Sequence, residues 1–94
     1  MAKRRFVVVR TYSAGVHMGE VVSRKGQEAT LSDARRLWRW KGANTLHEVA
    51  IHGVDETYSR ISEPVRRIDL TDVREVLDTT PGAKANLTRS RWGK

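Results

Sequence analysis

No cysteine occurs among the 94 residues, which removes disulfide frameworks and thiol nucleophiles and makes a reducing compartment the simplest setting. Aromatics are few, with one Phe, two Tyr and three Trp, and proline occurs twice. Long apolar runs are missing too. The run at residues 6–9 stops at Arg10, far short of the roughly 20 apolar residues of a membrane span and too short for a signal-peptide core. We therefore expect no membrane association and a cytoplasmic protein. There is no phosphate-binding P-loop, no dinucleotide-binding glycine pattern and no nucleophile elbow, and His17, His47 and His52 lack metal-ligand spacing. These absences argue against catalysis and against a metal or other cofactor. They leave binding as the expected activity.

What the chain has in excess is positive charge. Eighteen Lys and Arg against eleven Asp and Glu give a formal charge of +7 and a pI near 10.6, which points to a polyanionic partner such as nucleic acid, a nucleotide or an acidic protein. The length allows a single domain over 1–94, and 38% hydrophobic composition makes its core modest, so a homo-oligomer is expected. The cations fall in small groups: Lys3, Arg4 and Arg5; Arg10; Arg35, Arg36 and Arg39; Arg66 and Arg67; Arg89 and Arg91. Such spacing suits a pocket or groove assembled from several elements, within or between subunits.

Residues 31–46 concentrate two of the three Trp with three Arg. Ser32 or Asp33 can cap a helix and Gly42 can end it, so the stretch reads as a short helix over 32–41. Its helical period puts Ala34, Leu37, Trp38 and the Lys41 stem toward a core and Arg35, Arg36, Arg39 and Trp40 on the other side. That second face has three readings: solvated charge, an oligomer contact, or a ligand site with Arg forks on phosphate and Trp40 stacked on a base. Arg36 and Trp40, four apart, would then stand side by side.

Elsewhere, 6–12 reads as a central strand and 16–24 as a second, with a Lys25-Gly26 turn into a third at 27–31. Gly19 marks a bulge or a close backbone approach. Thr45 and Glu48 form a capping-box pattern for a helix ending at Gly53, with a strand over 48–52 as the alternative, 54–64 reads as a loop, 65–70 as a fourth strand and 71–77 as a short helix. Pro81 suits the first turn of a last helix reaching about Arg89. The expected fold is α+β: a small antiparallel sheet of about four strands with two or three short helices. The basic segment 79–94, with Trp92, is expected to dock on its own or a neighbouring subunit.

The stretches Phe6-Val-Val-Val-Arg-Thr-Tyr-Ser-Ala-Gly-Val-His-Met-Gly19 and Ala34-Arg-Arg-Leu-Trp-Arg-Trp-Lys-Gly-Ala-Asn-Thr-Leu46 resemble a family of small tailed-phage proteins of largely uncharacterised role. The likeness covers about the first two-thirds of the chain, and the sequence from Thr71 onward departs from it. The chain also resembles the sponges that phages use against Thoeris immunity, oligomers of small β-rich subunits that sequester cyclic nucleotide signals without cleaving them. The resemblance implies an anionic nucleotide ligand and an infected bacterial cytoplasm. It makes Arg10, Arg35, Arg36, Arg39 and Arg91 phosphate candidates and Trp40 a stacking candidate, with Asn44 in the adjoining turn completing the expected site. Binding of nucleic acid, or a structural or host-protein-binding role, is the alternative.

Overall fold

Val7, Val8 and Val9 are each fully buried, which a strand satisfies only when both of its faces are covered. In the computed structural model, which describes residues 5–13 and 15–90, these valines lie in β1 (Phe6–Thr11). The chain continues through β2 (Val16–Lys25), β3 (Glu28–Arg39), α1 (Leu46–His52), β4 (Arg60–Ile61), β5 (Val65–Leu70), β6 (Val73–Asp78) and α2 (Pro81–Arg89). All strand pairs are antiparallel, in the order β4-β3-β2-β1-β6, and β5 also pairs with β3.

Two residues, Thr71 and Asp72, separate β5 from β6, although the first pairs with β3 and the second with β1. A link that short draws the two sides of the sheet together, so the sheet curls. The inside of the curl holds Val7, Val9, Ala29, Leu31, Ala34, Leu70 and Val73. Val8 points the other way and packs with Met18, Leu37, Val49, Val54, Ile61 and Leu87, beneath the two helices. One strand thus serves two cores.

The helices form for the reasons their ends announce. Thr45 accepts from the Glu48 N–H at 3.3 Å, and the Glu48 carboxylate reaches back to the Asn44 N–H at 2.6 Å. Thr80 caps α2 by accepting from Ala83 N–H at 3.1 Å, and its hydroxyl donates to the Ile51 carbonyl at 2.6 Å. The start of the second helix is thereby tied to the end of the first. Pro81 stands in the first turn, where its missing N–H costs nothing.

Three expectations need correction. The sheet has six strands and not about four, with two helices. Residues 32–41 are mostly strand: β3 runs twelve residues, held by β2 on one edge and by β4 and β5 on the other. Residues 71–77 are also not a helix, because β6 pairs with β1 over that span and Asp72 bonds to Ser13 instead of capping. In both cases long-range pairing overrides a local capping signal. Gly19 behaves as read. A Cβ there would lie 2.9 Å from the Ser32 carbonyl oxygen, and the β2–β3 register shifts beside it, opposite Asp33 at φ 49.

No helix is long and apolar enough to cross a membrane among the described residues.

Candidate functional site

Turning 32–39 into a strand redistributes its side chains with a period of two. Arg35 falls on the helix-covered face, is only 7% exposed, and reaches the end of α2. Its Nε donates to the Ser62 carbonyl at 2.8 Å, and its Nη1 donates to the Leu87 and Thr88 carbonyls at 2.9 and 2.8 Å, while Nη2 donates to the Ser90 carbonyl. The last carbonyls of a helix have no partners of their own and carry the negative end of its dipole, so a guanidinium there satisfies both. Arg35 is an internal cap and lies off the exposed face expected for a phosphate fork.

Arg36 projects from the other face, where its guanidinium passes Gly15; a Cβ on that glycine would come within 3.1 Å of it. Trp40 packs, half-buried, against the Val8, Met18 and Leu37 cluster. The expected side-by-side pairing of Arg36 and Trp40 is therefore not formed. Arg10 is in an ion pair with Glu75 at 2.8 Å, and Asn44 stands at the entrance of α1. Arg91 and Trp92 lie outside the described residues. Among the described residues of the expected set, only Arg39 is exposed next to an exposed indole in the sequence.

That indole is Trp38, 57% exposed and opposite to its expected place in the core. The pairing of β3 with β4 runs Leu37↔Ile61 and then Arg39↔Arg60, so Trp38 is an extra residue in a bulge. Alternation from Leu37 already turns Trp38 outward, and the bulge then breaks the alternation so that Trp40 returns to the core. The Arg60 guanidinium carbon lies 5.9 Å from the Trp38 ring centroid. Beyond the last rung, the Lys41 N–H donates to Ser59 Oγ at 3.0 Å, and the Asp55 N–H donates to the Lys41 carbonyl at 2.8 Å. Lys41 Nζ then sits 5.8 Å from the centroid of Tyr58, itself 52% exposed.

One sheet corner therefore carries two exposed rings, each with a cation at cation–π distance, and Arg39 between them. Sequence reasoning missed Tyr58 and Arg60 because they lie in a segment with no periodicity. The available signal was an aromatic two residues from an Arg in an otherwise polar stretch.

A cleft lies between α2 and the β4–β5 connection, and its charge is mixed: Glu20, Asp33 and Glu63 share its walls with Arg35 and Lys84. Asp69 and Asp72 flank the β5–β6 link, away from both places. Hydrogen bonds hold their carboxyls below the ordinary value of 3.8, from the Thr30 hydroxyl to Asp69 and from the Ser13 hydroxyl and N–H to Asp72. No group of three potential metal ligands occurs among the described residues.

A family model described as a domain of unknown function, DUF6948, matches residues 4–87. No curated protein and no solved structure matches the chain.

Proposed function

The chain belongs to the DUF6948 family, and from that premise we propose that it is a non-enzymatic nucleic-acid-binding protein that uses the corner built by residues 38–41 and 58–61. The observation that carries this is the pairing of exposed rings with cations, Trp38 with Arg60 and Tyr58 with Lys41, on a chain of charge +7. Aromatic faces offer stacking to bases and the cations offer contacts to phosphates.

The narrower role implied by the sequence resemblance is capture of a cyclic nucleotide immune signal by a homo-oligomer in the cytoplasm of a phage-infected bacterium. It calls on the same chemistry with a shorter ligand. What favours the polymer is the character of the cleft: three carboxylates line it, and Arg35 gives its donors to carbonyls of the protein. A dianionic small ligand would meet like charge there.

Binding of labelled oligonucleotides of increasing length across a salt series tests the reading. Affinity should rise with length and fall linearly on a log–log plot against salt, as phosphate neutralisation requires. Saturation by cyclic dinucleotides with no gain from longer strands would favour the sponge instead, and no binding of either at low salt would end both.

A further inference from the structure

Resting on the nucleic-acid reading, we infer that the recognised unit is unpaired: bases of a single strand, one stacked on Trp38 and another on Tyr58, with Arg39, Lys41 and Arg60 on the phosphates. The exposed rings of the corner supply the argument. Arg39 stands across from Arg60 in the last rung of the β3–β4 ladder, and beyond it Lys41, whose backbone bonds to Ser59 Oγ and to the Asp55 N–H, brings its ammonium to 5.8 Å from the Tyr58 ring centroid. The two ring–cation pairs thus stand at one end of the β3–β4 pairing, the second just beyond its last rung.

Stacked bases in a duplex follow one another at about 3.4 Å. A base can stack on either ring only when one of its own faces is free, and a duplex keeps its base faces covered by their neighbours. Exposure agrees with this demand, since both rings are more than half exposed. The cations flank the rings, so one extended strand can place bases on the rings and phosphates on the charges. Nothing in this arrangement reads a base edge. Recognition is therefore sequence-tolerant, and it takes RNA or DNA by the chemistry both share.

The test uses the full chain and tryptophan fluorescence, with oligodeoxyuridylate and oligouridylate of about 12 nucleotides, within the usual site sizes, and a blunt duplex of equal length. Single strands should bind more tightly than the duplex. Trp38→Ala and Tyr58→Ala should each weaken single-strand binding about 5- to 150-fold, the range expected of one lost base stack. Trp38→Phe should recover much of the loss, and Arg66→Ala, on β5, should change little. A duplex bound as tightly as the single strands, or unchanged affinity in both aromatic variants, overturns the inference while leaving the nucleic-acid reading in place. Failure of the unaltered protein to bind any of the probes overturns both. If only one of the two oligonucleotides binds, the shared-chemistry part is wrong and the 2′-hydroxyl is being read.

Discussion

Asn86 is bonded to both backbone groups of Val54: its Nδ2 donates to the Val54 carbonyl at 2.9 Å, and its Oδ1 accepts from the Val54 N–H at 2.8 Å. A side-chain amide thus takes the place of a neighbouring strand and fastens α2 to the segment leaving α1. The arrangement leaves no space beside Gly53, where an added Cβ would overlap the Asn86 carboxamide. Gly53 also sits at φ 82 and ψ −157, a region that is essentially glycine's alone.

Gly53→Ala should therefore destabilise the protein through strain and overlap together, by about 2–6 kcal/mol when a strain cost of about 1–3 is added to a comparable overpacking cost. Asn86→Ala, which leaves the backbone of Val54 unpaired, should cost about 1–3 kcal/mol. Urea unfolding of both variants measures this, and a Gly53→Ala protein as stable as the parent would contradict the assigned geometry.

Arg35 allows a sharper comparison between a capping and a ligand role. Lysine keeps the charge but cannot fork to four carbonyls, so Arg35→Lys should lower stability by about 1–3 kcal/mol, the scale of lost charge-assisted hydrogen bonds. Faster amide exchange should appear in the last turn of α2. Unchanged melting together with reduced nucleotide binding would return Arg35 to the ligand set.

The ends of elements and the strands β1, β2 and β5 were readable, and the second half of β3 and β6 were not. Thr45 with Glu48, Gly53 and Pro81 act within a few residues, and they mark α1 and the start of α2 as expected. Lys25-Gly26 likewise marks the β2–β3 turn, with Gly26 at φ 59. By contrast, Asp33 imitates a helix cap, yet it is a bulge residue at φ 49 whose extra step disguises the alternation of β3. Thr71 and Asp72 imitate another, but the partner of Asp72 is Ser13, 59 residues away. The same locality limit hid the site. Trp38 and Arg60 meet only because a two-residue strand, distant in the sequence, pairs with the end of β3.

Burial on both faces of β1 changes what a charge in that strand should do. Val7 and Val8 face different cores and each is fully buried, so Val7→Asp and Val8→Asp should both abolish soluble folding. Neither face tolerates an unpaired carboxylate. Soluble expression of one variant, with a native circular dichroism spectrum, would show that its side of the strand is open.

Acid should loosen the β5–β6 link in a defined direction. The Asp72 carboxyl titrates below its ordinary value of 3.8 because the Ser13 hydroxyl and N–H bond to the charged form, and Asp69 is lowered by Thr30 and then Arg67. Their stabilising contributions are fully present above about pH 4, near the unfolded carboxyl value, and are lost as pH falls through the lower folded values. The Ser13 amide resonance should follow the Asp72 titration, and in Asp72→Asn that dependence should vanish. A Ser13 shift that persists unchanged in Asp72→Asn would assign the effect to another group.

The two neighbouring tryptophans should separate stability from binding. Trp40 packs against the cluster of Val8, Met18 and Leu37, whereas Trp38 is 57% exposed beside Arg60. Trp40→Ala removes a partly buried indole and should cost about 2–4 kcal/mol, somewhat below the range for a fully buried one. Trp38→Ala removes surface contacts and should stay within about 0.5 kcal/mol of the parent. Binding should move in the opposite order, with the loss in Trp38→Ala and near-parental affinity in the folded fraction of Trp40→Ala. Differential scanning calorimetry paired with oligonucleotide titration on both proteins decides between them. If Trp40→Ala melts like the parent and loses ligand, the stacking residue is Trp40, as its position among the arginines of the sequence first implied, and the corner formed with β4 is not the site.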